Sequence, residues 1–103
     1  MKKVRILEPA RRDLVQGYRF YERQAESIGR YFLDSLYSDI ESLQISAGVH
    51  AVFFDRYHRL LSKRFPWSVY YRVEGDEVHI YAVLDSRRNP DLIRKHLAGA
   101  QKT

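Results

Sequence analysis

Residues Trp67 to Leu84, WSVYYRVEGDEVHIYAVL, constrain the fold more than any other part of this chain. Two runs of β-branched, aromatic and aliphatic residues flank Glu74-Gly75-Asp76-Glu77, a loop suited to a β-hairpin. Side chains alternate across a strand, so Val69, Tyr71 and Val73 fall on one face and Ser68, Tyr70 and Arg72 on the other. On the second strand Val78, Ile80, Ala82 and Leu84 share a face, with His79, Tyr81 and Val83 opposite. Pro66 has no N–H to give a central ladder and belongs at a turn. A third strand, from Tyr57 to Phe65, precedes it.

The first half has a different rhythm. Val4, Ile6 and Leu7 form a short opening strand, which Pro9 ends while opening a helix. Ala10, Leu14, Tyr18, Tyr21 and Ala25 step along one helical face, with Arg11, Arg12, Arg19 and Arg23 largely off it. Ser27-Ile28-Gly29 breaks this pattern. A second face then runs through Ile28, Phe32, Leu36, Ile40, Leu43 and Ala47, with Asp34, Asp39 and Glu41 outside and Gly48 as the C-cap. So short a link predicts an antiparallel helical hairpin.

After the last strand, Asn89-Pro90 caps and opens a short terminal helix through Leu97. The expected fold is α+β, in the order β-α-α-β-β-β and a short C-terminal helix. The helical hairpin packs on one face of a small, mainly antiparallel sheet. Residues 1–98 are read as a single domain and 99–103 as a polar tail.

Cysteine is absent, which removes disulfides, thiolate nucleophiles and cysteine zinc sites and suits a reducing compartment. MKKVRILEPARRD is too charged for a signal peptide or a membrane span, so the chain is read as cytoplasmic, with no membrane partner. The net charge is +5, and its excess lies mainly in the second half. Residues 1–50 hold eight Lys/Arg against seven Asp/Glu, and residues 51–103 hold ten against six. A basic half favours an anionic partner, although solubility alone accounts for such a charge as well.

Several chemistries lack their residues. His50, His58, His79 and His96 are scattered without metal-ligand spacing, so no metal is expected. There is no Gly-rich phosphate loop, no dinucleotide fingerprint and no G-x-S-x-G elbow, and no cofactor is implied. The carboxylates Asp34 and Asp39, and those of the 74–77 loop, are read as solvated surface. The basic set Arg59, Lys63, Arg64, Arg72, Arg87 and Arg88 remains, together with Tyr70 on the face of Arg72. These residues suit phosphate contact or, for Arg59, Lys63, Arg72, Arg87 and Arg88, charge stabilisation during RNA cleavage. As strand-edge charges they also serve against aggregation.

In order, PARRDL (Pro9–Leu14), GRYFLDSLYSDIESL and RFPWSVYYRVEGDEVHIYAVLDSRRNP resemble the RelE/ParE superfamily of bacterial type II toxin–antitoxin toxins, over residues 4–95. Two positions depart from the family pattern: its Phe-Pro-Tyr is here Phe65-Pro66-Trp67, and Asp85 stands where a histidine often precedes the terminal arginine. The resemblance implies a growth inhibitor held in a hetero-oligomer by a cognate antitoxin that wraps its helices and sheet. RelE-like members cleave mRNA on the ribosome with basic strand residues, a terminal arginine and often a tyrosine or histidine. ParE-like members lack that set and poison DNA gyrase. In this chain Ser68 falls where a cleaving member carries its central-strand arginine. Arg59, Leu61 and Lys63 occupy the strand expected to offer two lysines, Arg87 or Arg88 matches the terminal arginine, and no tyrosine follows Tyr81. The resemblance therefore favours ParE-like blocking over ribonuclease action.

Overall fold

The computed structural model describes residues 1–101; Lys102 and Thr103, the end of the expected polar tail, lie outside the described residues. The elements are β1 (Lys3–Ile6), α1 (Glu8–Gln24), α2 (Ile28–Glu41), α3 (Leu43–Ser46), β2 (Val52–Phe53), β3 (Tyr57–Leu61), β4 (Trp67–Glu74), β5 (Glu77–Asp85) and α4 (Pro90–Gln101). The strands form one sheet in the order β1-β5-β4-β3-β2. Only β1 runs parallel to its neighbour, because α1 and α2 carry the chain away before it returns. The expected α+β order holds, with α3 and the two-residue β2 as additions. The helix expected to reach Ala47 instead breaks at Ser42, whose hydroxyl bonds back to the Asp39 carbonyl.

The α1–α2 hairpin covers one face of the sheet. Ala10, Leu14, Phe32, Leu36 and Ile40 pack there on Trp67, Val69, Tyr71, Val78, Ile80 and Val83. The helices approach closely at Gly17, where an added Cβ would meet Phe32 Cζ at 2.5 Å. The buried side of α1 is Pro9, Ala10, Asp13, Leu14 and Gly17, so it is rotated from the expected one. Ala25 is exposed, as is Ile28 on α2. Glu22 joins the helices, its two carboxylate oxygens accepting the Ser27 and Gly29 N–H groups at the start of α2. Asp39, expected outside, is buried and accepts the Ser62 hydroxyl at 2.7 Å, tying α2 to the end of β3.

The opposite face is covered by the C-terminal helix. α4 begins with the Asn89 side chain accepting the Asp91 N–H at 2.8 Å. Its Ile93 and Leu97 then close over Tyr57, Tyr70, Ala82 and Leu84. The helix continues beyond Leu97, and Ala100 is buried.

A β-bulge allows both faces to be filled. Tyr70 pairs with Ala82 and Tyr71 with Ile80, leaving Tyr81 as the extra residue on β5. Beyond it the alternation shifts by one. Val83 therefore joins Val78 and Ile80 under the helical hairpin, whereas Ala82 and Leu84 turn to α4, reversing the faces expected for those three residues.

Candidate functional surface

Polar side chains converge where α1, β5 and α4 meet. β1 stops opposite Ile80, so beyond it β5 is paired with β4 on one side and has no strand on the other. Asp13 substitutes for that strand: its Oδ2 accepts the Val83 N–H at 3.0 Å. Its Oδ1 lies 2.9 Å from His96 Nε2 on α4. Asp13 is 4% exposed, and these two partners compensate for burying its charge. On one side of this pair, Arg12, Gln16 and Lys95 line an open cleft. On the other, a cleft of about 210 Å³ lies among Gln16, Phe20, Trp67, Leu84 and Arg88.

The turns at this end of the sheet are joined. Ser86 donates both its N–H and its hydroxyl to the Pro66 carbonyl, each at 2.8 Å. The 63–66 turn and the 86–89 turn thereby form one surface that carries Lys63, Arg64, Arg87 and Arg88. Arg87 grips Asp85 through Nη2 at 2.7 Å and Nε at 3.0 Å. The hydrogen bonds from Arg87 hold the Asp85 carboxyl below its ordinary range, and the same pairing raises the guanidinium. Lys63, Arg64 and Arg88 are exposed. Phe20 and Tyr31 present half-exposed rings nearby, and Phe65 packs against Tyr21, Tyr31 and Phe32.

The remaining basic residues stand apart from this surface. Arg59 lies partly buried on β3, its guanidinium 3.8 Å above the Phe53 ring and its Nε without a hydrogen-bond partner. Arg72 pairs with Glu74 at 3.4 Å. Tyr70 is not outward-facing: it is 1% exposed, beneath α4. Ser68 is likewise enclosed, and its hydroxyl has no partner.

A second polar cluster lies at the β2–β3 edge. Tyr71, fully buried, accepts the Gly48 N–H at 3.0 Å and shares a short hydrogen bond with His50 Nδ1. Gly48 has φ +97°, a backbone state that favours glycine. His58 stacks on the Tyr71 ring and bonds through Nδ1 to the His50 carbonyl at 2.7 Å. Burial, then the neighbouring His58, lowers the His50 pKa; burial raises that of Tyr71. Sequence reasoning missed this cluster because its members come from one loop and two strands that are separated in sequence. Among the described residues no group of three or more His, Cys, Asp or Glu could hold a metal ion. No helix among them is long and apolar enough to cross a membrane.

No protein-family model matches the chain, and no curated protein matches its sequence. Solved structures do. A chain of the chromosomal ParDE TA system from P. aeruginosa superposes with a TM-score of 0.75 at 21% identity, over 82% of this chain and 96% of that one. This chain has a RelE/ParE-like fold. The E. coli toxin RelE, as a double arginine-to-alanine mutant in the free state, is a more distant match: TM-score 0.46 and 12% identity, over 98% of this chain and 95% of that one.

Proposed function

We propose that this RelE/ParE-like chain is the toxin of a type II toxin–antitoxin system. In this reading it arrests growth by binding and blocking DNA gyrase, and a cognate antitoxin neutralises it. The fold shared with a chain of a ParDE system supports the toxin reading. The placement of the basic residues carries the preference for blocking over cleavage. Arg72 is paired with Glu74, Arg87 with Asp85, and Arg59 is stacked on Phe53. Cleavage of RNA needs a proton acceptor, a proton donor and charge stabilisation converging on one phosphate. Here Ser68 and Tyr70 lie inside the protein, and Lys63, Arg64, Arg87 and Arg88 gather on the turns at the sheet's end.

A cationic chain of this kind suits an acidic antitoxin segment, and the cytoplasm is where gyrase and antitoxin would be met. The test is expression of the chain without its partner, followed by a supercoiling assay with purified protein and gyrase. The expected result is filamentation with a DNA-damage response and loss of supercoiling in vitro, both reversed by the antitoxin. Intact supercoiling together with cleaved mRNA on translating ribosomes would transfer the chain to the RelE-like endonucleases. Normal growth on expression alone would remove the toxin reading altogether.

A further inference from the structure

We infer that the outer face of α1, with the neighbouring ends of β5 and α4, docks on an anionic lipid surface. This concerns where in the cell the chain resides, and it does not depend on the blocking of gyrase. α1 buries Pro9, Ala10, Leu14 and Gly17 and turns Arg11, Arg12, Arg19 and Arg23 to solvent. None of these arginines forms an ion pair among the described residues. Arg11 gives its Nε to the Ile6 carbonyl, which leaves its charge uncompensated.

The carboxylates of α1 do little to offset this charge. Asp13 is engaged by the Val83 N–H and His96, and Glu22 by the Ser27 and Gly29 N–H groups. Glu8 alone faces the arginines, at the N-terminal end of the helix. Around Gln16 the basic face continues onto other elements. Lys95 of α4 lines one cleft with Arg12 and Gln16, and Arg88 lines another with Gln16 and Phe20. Asp85, at the edge of the second cleft, is held by Arg87.

The charge calls for a polyanion, and the apolar side chains choose among polyanions. The exposed side of a helix has no strand edge for an extended acidic peptide. Val15, 45% exposed, and Phe20, 50% exposed, stand on either side of Arg12, Arg19 and Arg23. They do not form the i, i+3, i+4 row on which a partner helix would seat. A duplex backbone offers neither side chain a contact. A lipid surface takes the whole set, with guanidinium groups on headgroup phosphates and Val15 and Phe20 dipping into the interface. The apolar side of α1 is filled by the core, so the helix lies on the surface without inserting.

The test is co-sedimentation of the full chain with vesicles. Phosphatidylcholine mixed with phosphatidylglycerol should carry it down, pure phosphatidylcholine should not, and rising salt should release it. Arg12→Gln and Arg19→Gln should each weaken binding by roughly fivefold. Arg56→Gln with Arg72→Gln removes as much charge from the other end of the sheet and should leave binding near that of the parent. Phe20→Ser should weaken binding without changing its salt dependence. The substituted α1 residues are exposed, and circular dichroism checks that each variant is folded. The inference is overturned if the chain ignores phosphatidylglycerol, or if the Arg56/Arg72 variant loses as much as the α1 variants. Tighter binding to polyglutamate or to a DNA duplex than to the anionic vesicles also overturns it, and assigns the face to an acidic protein or to DNA.

Discussion

His96 on α4 is joined to Asp13 on α1 across 2.9 Å, and the same carboxylate caps the Val83 N–H that the β5 bulge turns outward. One buried side chain thus stabilises a sheet irregularity and anchors the C-terminal helix. Leaving a buried N–H unpaired costs about 1–3 kcal/mol. Asp13→Ala should therefore lose that amount for Val83 and more for the released His96. His96→Ala should cost less, because Val83 keeps its acceptor, and Asp13→Asn should fall between the two. Urea unfolding followed by Trp67 fluorescence measures all three, and equal losses in the two alanine variants would show that the bulge is not what Asp13 stabilises.

Gly17 sets how closely the helical hairpin can close. A methyl group there meets Phe32 Cζ at 2.5 Å and Phe32 Cε2 at 2.6 Å, and Phe32 is itself fully enclosed. Overpacking a filled core costs about 1–3 kcal/mol, more than the helix propensity gained by replacing glycine with alanine. Gly17→Ala should lower the thermal midpoint, and adding Phe32→Leu should restore part of the loss. A Gly17→Ala protein that melts higher than the parent would mean that the helices can slide apart without cost.

The His50–Tyr71–His58 cluster gives stability a pH dependence of defined sign. The pKa of His50 is lowered from 6.5, first by burial and then by His58, so the folded protein holds it neutral where the unfolded chain binds a proton. Its contribution is complete above pH 6.5 and is lost as the pH falls through the lowered folded value. Stability by urea unfolding should decline below neutrality, and His50→Phe should flatten that decline. An unchanged slope in the variant would assign it to another group.

Much of the architecture is legible in the amphipathic spacing of α1 and α2, the Glu74–Glu77 loop and the Asn89-Pro90 start of α4, because local geometry decides each of them. The β5 faces are not legible past Ile80. Tyr81, Ala82, Val83 and Leu84 are all apolar or amphipathic, so no polar residue marks where the bulge shifts the alternation. Asp13 and Asp39 are hidden for another reason: a pattern of polar and apolar residues assigns carboxylates to solvent, whereas their partners Val83 and Ser62 are distant in sequence. The same holds for the candidate surface. Lys63, Arg64, Arg87 and Arg88 are visible as cations, but their grouping depends on the Ser86–Pro66 contact between two turns, and Tyr70 left the surface because α4 covers it.

Ser68 tests that distinction directly. The family resemblance aligns it with the central-strand arginine of cleaving members, yet in the fold it is 0% exposed and its hydroxyl has no hydrogen-bond partner. Replacing an unpartnered buried hydroxyl with hydrogen removes a desolvated polar group while leaving almost no cavity. Ser68→Ala should therefore be neutral or stabilising by about 1 kcal/mol, with growth arrest unchanged. Ser68→Arg should not create a nuclease. It forces a long cation into an enclosed space between β3 and β5, where an unpaired charge costs several kcal/mol on top of the steric strain. The expected result is a protein that accumulates poorly or melts far below the parent, measured by soluble yield and thermal unfolding. A stable Ser68→Arg protein that cleaves RNA would place position 68 on an accessible surface and reverse the preference for blocking over cleavage.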